Sequence, residues 1–167
     1  MSNNVGARHA VPLLLSRPLV ALVCSVQCPG SLILRAYDLA RTLRDAGVTV
    51  IGGFHSPIEK ECLALLLRGK QPIIICPARS IAGMRIPVLW RGPLDEGRLL
   101  LISPFGAAQR RVTAETALVR NALMTGLCRM LLVIHAANGS KTEQLCRQAF
   151  LYGKPTFVLE SEENNGA

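Results

Sequence analysis

The chain has few aromatic residues, and this scarcity already narrows the kind of core it can build. Aromatic residues make up 4% of its 167 residues, whereas hydrophobic residues make up 50% and charged residues 18%. High hydrophobicity with modest charge excludes an intrinsically disordered chain. A chain of this length can bury a core without disulfides or metals, and its apolar residues are mainly Leu, Ile, Val and Ala. The composition therefore favours aliphatic strands packed against helices.

Long apolar runs are also missing from the sequence. The longest apolar run near the N-terminus, Val11 to Leu15, is too short for the core of a signal peptide. No uninterrupted stretch approaches the roughly 20 apolar residues of a membrane helix. We therefore expect a soluble cytoplasmic protein that makes no use of a membrane.

The six cysteines lack the spacing of a metal site. There is no CxxC pair, no histidine lies at metal-ligand spacing, and three residues separate Cys24 from Cys28. Several of the cysteines lie inside apolar runs, where cysteine behaves as a small hydrophobic residue. We expect reduced thiols, no bound metal and no cofactor.

Basic residues outnumber acidic ones, 19 to 11, which gives a formal net charge of +8. Fifteen of the basic residues are arginines, whose planar guanidinium suits phosphate. Such a surface favours polyanions, namely nucleic acid, nucleotides or anionic lipid, although a basic surface without a ligand remains the alternative.

From Pro18 onward, buried apolar runs alternate with segments of helical spacing. The runs predict strands at 19–26, 48–51, 72–76, 99–103, 130–135 and 156–159. Helices are predicted at 31–46, 57–68, 113–126 and 141–152, and segment 79–97 is predicted to be irregular with a short helical turn. This alternation predicts a doubly wound α/β three-layer sandwich with a mainly parallel sheet of about six strands. The predicted boundaries are an N-terminal extension (1–17), the domain (18–159) and a flexible acidic tail (160–167).

Ligands in such sheets bind beyond the carboxyl ends of the strands. Several of the loops predicted at those ends lead into a helix N-terminus, which offers unpaired N–H groups and a partial positive charge to phosphate. The motifs GxGxxG and GxxxxGK[ST] are both absent, so neither a dinucleotide fingerprint nor a P-loop is present. The candidate residues for nucleic acid or phosphate are Ser25, Gly30, Gly52, Gly53, Phe54, His55, Arg79, Arg120, Asn121, Asn138, Gly139, Ser140, Lys141 and Thr142.

Several candidates have an equally simple structural role. His55 is either a phosphate donor or a surface histidine, and Phe54 is either a base-stacking residue or part of the core. Ser140 begins a capping box that Glu143 completes, so this loop is either an anion site or only a helix start. Arg120 belongs either to a basic ridge or to an ordinary solvated helix face.

The sequence does not argue for catalysis. No cysteine near the predicted crevice is paired with a histidine, and the carboxylates there are few. Glu59, for example, is explained by the capping box that begins at Ser56. We therefore predict a binding protein rather than an enzyme, and leave catalysis open.

The ordered motifs between Pro18 and Leu159 resemble the Rossmann-like domain of the DNA-processing protein family called DprA or Smf. The similarity lies in the opening strand VALVCSV, the Gly-Gly-Phe turn at 52–54, the strand GKQPIIICPA, the Arg-Asn pair at 120–121, the Asn-Gly-Ser loop at 138–140 and the closing YGKPTFVL. The resemblance implies single-stranded DNA binding in a basic pocket, a homodimer, and transfer of the strand to a RecA-type recombinase during natural transformation. It also implies that Gly52, Gly53, Arg120, Asn121, Gly139, Ser140 and Thr142 surround the DNA phosphates.

The sequence departs from that family's pattern at several points: the Phe-Pro before the Arg-Asn pair is absent, the loop at Gly139 is one residue shorter, and two other loops differ. Where the family has Gly-Ser-Arg after the first strand, this chain has Cys24-Ser25-Val26, and His55-Ser56-Pro57 replaces a Gly-hydrophobic-Asp stretch. We expect a short, stand-alone relative without the family's additional domains. More distantly, the chain resembles LOG-type phosphoribohydrolases, but their catalytic glutamate would fall on Leu145. A nucleotide-binding sensor or a phosphoribohydrolase-like enzyme is therefore the alternative function.

Overall fold

One sheet of six parallel strands runs through residues 14–160, the part of the chain that the computed structural model describes. The order of the strands across it is β4-β3-β2-β1-β5-β6. Every neighbouring pair is parallel. The strands are β1 (Leu19–Val23), β2 (Thr49–Gly52), β3 (Ile73–Ile75), β4 (Leu99–Leu101), β5 (Met130–Val133) and β6 (Thr156–Val158).

Five α-helices connect the strands. They are α1 (Ile33–Asp45), α2 (Pro57–Leu66), α3 (Val88–Asp95), α4 (Ala114–Leu127) and α5 (Lys141–Leu151), with a short 3₁₀ turn at Gly30–Leu32 before α1. The predicted doubly wound α/β sandwich is confirmed, and within residues 14–160 all the strand pairs are parallel.

A separate hydrophobic cluster covers each face of the sheet. On one face, Leu22 of β1 packs in the same cluster as Ala36 of α1 and Cys62 of α2. On the other face, Ala21 of β1 packs with Met124 of α4. Successive strand residues point to opposite faces of the sheet. Since both faces are covered, every residue of β1 is buried, as its unbroken apolar sequence predicts.

β1 is shorter than the apolar run suggests. It ends at Val23, and Val26, predicted to be in the strand, is 62% exposed. Beyond Val23 the Cys24 N–H donates to the Glu59 carboxylate, with 2.9 Å between nitrogen and Oε1, and the Ser25 N–H donates to the His135 carbonyl at 2.9 Å. An apolar sequence alone does not reveal where a strand reaches the rim of its sheet.

The segment predicted to hold only a short turn contains a full helix, α3. This helix begins after Pro87 and contains Pro93 near its end. Proline in a helix interior removes a hydrogen-bond donor and normally predicts a break. Pro93 lies in the last turn of α3, where it lacks the N–H that would otherwise donate to the Leu89 carbonyl.

The chain ends are described only in part. Leu14 is buried and Leu15 packs against the cluster that contains Met124, so residues 14–17 lie on the domain. The rest of the predicted extension (1–13) and most of the predicted tail (161–167) lie outside the described residues. None of the helices in residues 14–160 combines the length and the hydrophobicity that a transmembrane span requires.

Candidate functional site

A cavity of about 960 Å³ opens at the carboxyl ends of the strands, and we call it the crevice. It lies where the strand order reverses, because β1 pairs with β2 on one side and with β5 on the other. Open α/β sheets usually bind ligands at such a switch point. The crevice is lined by twelve of the fourteen predicted residues, namely Ser25, Gly53, Phe54, His55, Arg79, Arg120, Asn121, Asn138, Gly139, Ser140, Lys141 and Thr142.

Ser25 joins the end of β1 to the loop that follows β5. Its Oγ accepts a hydrogen bond from the Ala137 N–H at 2.9 Å and donates one to Ser140 Oγ at 3.0 Å. Ser140 in turn caps α5 by accepting the Glu143 N–H at 3.1 Å. The side chain of Ser25 therefore fixes the start of α5 against the sheet.

The N-terminus of α5 is arranged differently from the predicted capping box. The Glu143 carboxylate reaches the N–H of Gly139 at 2.7 Å and forms an ion pair with Arg147. The hydrogen bond from Arg147 lowers the pKa of Glu143. Lys141 and Thr142 belong to the first helical turn, where N–H groups have no acceptor within the helix, and both line the crevice.

Glu59 fastens the loop after β2 to the end of β1. Its buried carboxylate accepts three backbone N–H groups, from Cys24 at 2.9 Å, His55 at 2.7 Å and Ser56 at 2.9 Å. Ser56 accepts the Glu59 N–H in return, so the predicted capping box is confirmed. The Glu59 oxygens are committed to the main chain, and this residue is part of the framework of the site.

Phe54 occupies the core rather than an open stacking position. Its side chain is 5% exposed, and its backbone adopts the left-handed region with φ of 45°. A Cβ built on Gly52 would lie 2.8 Å from the Phe54 ring. Gly52 thus makes room for Phe54 and does not line the crevice, and Gly30 lies in the exposed 3₁₀ turn, also outside it.

Arg120 and Asn121 form the floor of the crevice, not a ridge on a solvated helix. They are 8% and 7% exposed, respectively. Arg120 donates from Nη1 to the Cys76 carbonyl at 3.2 Å and from Nε to Asn121 Oδ1 at 2.8 Å. Gly53 is required for this position, because a Cβ there would lie 1.7 Å from Nη1.

Among the described residues, the buried Arg120 charge has no carboxylate partner. Within residues 14–160 no ion pair reaches its guanidinium. Burial lowers the pKa of Arg120, and the negative charge of Glu59 partly opposes this effect. A buried cation is costly unless it is paired, so an anion in the crevice would be strongly favoured.

The remaining charged residues of the crevice are mostly basic. Lys60, Arg79, Arg120 and Lys141 line it against one carboxylate, that of Glu59. Lys60 was not among the predicted residues, although it lies one turn into a helix whose start the sequence marks clearly. This balance of charges adds to the attraction for an anion.

Three further lining residues were missed for a different reason. Met84, Trp90 and Val112 all line the crevice. They lie in or near segments without a regular apolar period, and nothing in such a pattern connects them with the strand ends. The position of α3 against the sheet had to be known first.

None of the six cysteines is an activated nucleophile. All six are free thiols, and burial raises the pKa of each of them, to about 11 for Cys76 and to about 12 for Cys62. A reactive thiol needs a depressed pKa. The crevice therefore resembles a binding site more than a thiol active site.

Comparison with known proteins decides the family. The model of the family described as DNA recombination-mediator protein A matches residues 11–167. The chain belongs to this family. No protein of curated function matches the sequence significantly.

Solved structures of this family share the fold. DNA processing protein A from Streptococcus pneumoniae is 20% identical with a TM-score of 0.73, and the match covers 92% of this chain and 54% of that protein. DNA processing protein A from Helicobacter pylori, a protein studied for its single-stranded DNA binding mode, is 21% identical with the same TM-score and coverage of 92% and 72%. A molybdenum cofactor binding protein from Rippkaea orientalis is 11% identical with a TM-score of 0.62, covering 87% and 78%. The chain thus spans about half the length of the S. pneumoniae protein.

Proposed function

We propose that this family member binds single-stranded DNA in the crevice and acts in DNA processing and recombination during natural transformation. The observation that carries the proposal is the buried guanidinium of Arg120 on the floor of a basic crevice, with no ion-pair partner in the part of the chain that the structure describes. Membership of the DNA recombination-mediator family supports it. So does the single-stranded DNA binding of the H. pylori protein, which has the same fold.

The geometry suits a single strand better than a duplex. A phosphate that meets Arg120 must enter a crevice where that side chain is only 8% exposed. The phosphates of a duplex are held at fixed positions on a stiff cylinder, which adapts poorly to a concave site. A flexible single strand can place one phosphate at Arg120 and the start of α5, and its neighbours near Arg79 and Lys60.

Replacing Arg120 tests the proposal. Affinity of the Arg120→Gln variant for a labelled single-stranded oligonucleotide is measured across salt concentrations, with thermal unfolding as a check on folding. Each lost phosphate contact should shallow the log–log salt slope by about 0.7 and weaken binding. Arg129→Gln is the matched control, because this exposed arginine precedes β5 at the opposite end of the strands. Wild-type protein that fails to bind DNA at low salt would exclude the proposal.

We also propose that two copies associate through the edge formed by α5 and β6. This edge exposes five large apolar side chains, and exposed apolar patches commonly mark interfaces. They are Phe150, Leu151, Tyr152, Phe157 and Val158. Within residues 14–160, β6 is also the edge strand of the sheet, and an edge strand can meet its own copy about a two-fold axis. Sedimentation of the wild type and of Leu151→Ser tests this, with the dimer expected to weaken in the variant.

Transfer of the strand to a RecA-type recombinase and a cytoplasmic location stay predictions from the sequence.

An alternative function, binding of a small nucleotide, is favoured by one observation: the cavity of about 960 Å³ falls in the usual range of small-molecule sites. Leu145, at the position of the phosphoribohydrolase glutamate, is buried and apolar, which speaks against hydrolysis. Thermal-shift measurements with mononucleotides would separate this alternative, since a DNA-binding protein should gain little stability from them.

A further inference from the structure

The crevice has two chemically different sides. Its floor carries hydrogen-bond donors, among them Arg120 and Asn121, whereas part of its wall is apolar. Met84, Trp90 and Val112 belong to this apolar part, and we call Met84 and Trp90 the wall pair. The hydrogen-bond donors of the floor suit a phosphate group. A phosphate makes no favourable contact with an apolar wall, so the wall must serve another part of the ligand.

Trp90 is the one tryptophan of the chain, and it is held in place in the first turn of α3. The backbone N–H of Trp90 donates to the Pro87 carbonyl at 3.0 Å. The side chain packs against the core cluster that contains Ile75. The two residues before it, Val88 and Leu89, are 74% and 71% exposed. Trp90 is therefore directed toward the domain while its neighbours on α3 face solvent.

Trp90 is only half-buried, although it contacts the core and lines the crevice. Part of the indole therefore stays accessible, in contrast to Met124 of the same crevice, which is 1% exposed. The other aromatic residue of the crevice, Phe54, is 5% exposed and has little surface to offer a ligand. Among the described lining residues, the accessible aromatic rings are therefore the indole of Trp90 and the imidazole of the exposed His55, and the indole is the larger stacking surface.

We propose that the wall pair is a base-stacking subsite, in which the indole of Trp90 stacks on one nucleobase of the strand whose phosphate meets Arg120. This proposal rests on the proposed function. It assigns a binding surface to the nucleobase, which the basic floor does not contact. Indole and thioether groups stack and pack without reading hydrogen-bond edges, so this subsite accepts any base. It distinguishes a strand that carries bases from a bare sugar-phosphate chain.

The test compares an oligothymidylate with an abasic oligonucleotide of the same length at one salt concentration. Both carry the same phosphates, but only the first offers bases. Since Trp90 is the single tryptophan, its fluorescence reports on this subsite directly. We expect oligothymidylate to quench the fluorescence and to bind roughly tenfold or more tightly than the abasic strand, as one stacked base contributes about that factor.

Variants of α3 then separate stacking from folding. Fluorescence anisotropy of end-labelled oligonucleotides should show that Trp90→Leu binds both strands alike, while Trp90→Phe keeps most of the preference. Val88→Ser is the matched control on the same helix and should behave as wild type. If Trp90→Leu does not fold, the wild-type comparison and Trp90→Phe still decide.

The outcomes distinguish the two proposals. Equal affinity of wild-type protein for both strands, or quenching by the abasic strand alone, would overturn the stacking subsite while leaving DNA binding intact. Absence of binding to either strand would overturn the proposed function itself. Unchanged preference in Trp90→Leu would place the stacked base elsewhere in the crevice and equally refute the assignment.

Discussion

The floor and the wall of the crevice are built on opposite principles. The floor is a network of buried polar groups in which Glu59, Ser25 and Arg120 each hydrogen-bond to backbone from a different part of the chain. The wall pair comes from one continuous segment and contributes apolar surface. Buried polar networks are costly when incomplete, so the floor is expected to be rigid and sensitive to substitution. The wall should tolerate change and affect only what binds.

The largest effect is expected from Glu59→Ala, which removes the acceptor of three backbone N–H groups. Leaving buried donors unsatisfied should lower the free energy of unfolding by about 3 kcal/mol. Urea denaturation measures this. Glu61→Ala is the matched control, because Glu61 is exposed on the same helix and should change stability by less than about 0.5 kcal/mol. Similar losses in both variants would contradict the framework role of Glu59.

Gly53→Ala should damage binding more than stability. The added Cβ would lie 1.7 Å from Arg120 Nη1 and force the guanidinium off the Cys76 carbonyl. We expect affinity for single-stranded oligonucleotide to fall about tenfold, with a stability cost of roughly 1–3 kcal/mol from overpacking. Gly106→Ala, where nothing lies within 4 Å of the new Cβ, provides the comparison. If binding survived in Gly53→Ala, the position of Arg120 would not matter to the ligand.

Ser25→Ala should cost about 1 kcal/mol of stability, because the Ala137 N–H loses its acceptor. The Ser140 hydroxyl loses its partner at the same time. A double-mutant cycle with Ser140→Ala measures the coupling of the two hydroxyls by thermal unfolding. Strict additivity of the two substitutions would show that the contact between the hydroxyls contributes nothing.

The smallest effect on folding is expected from Met84→Ala in the wall. Met84 is only partly buried, so the substitution should change the free energy of unfolding of the protein by less than about 1 kcal/mol. Affinity for oligothymidylate should nevertheless fall severalfold, while affinity for an abasic strand stays constant. A large loss of stability in this variant would contradict the view that the floor determines stability while the wall affects only binding.

The fold was predicted well because the patterns that specify its strands and helix starts lie within short stretches of the sequence. An apolar run such as 19–26 and a capping box such as the one at Ser56 are both readable within a few residues. Both were confirmed in the structure, apart from the end of β1.

The site was predicted less completely because burial depends on distant parts of the chain. In a helix, a polar residue such as Arg120 predicts a solvated face, yet α4 turns it onto the ends of β2 and β3, where Gly53 and Cys76 receive it. Trp90 gave no signal because its helix lies in a segment rich in glycine and proline. Most candidates at strand ends line the crevice, and Arg120 and Asn121 of α4 were also found, whereas Met84 and Trp90 from the segment between β3 and β4 were not.

The hydrogen bond between Ser25 and Ser140 spans 115 positions of the chain. This contact of the crevice therefore forms only when β5 has paired with β1 and the start of α5 has packed beside them. Occupancy of the completed pocket then favours the native state as a whole by mass action. Bound oligonucleotide should therefore slow proteolysis at loops throughout the domain, far from any nucleotide.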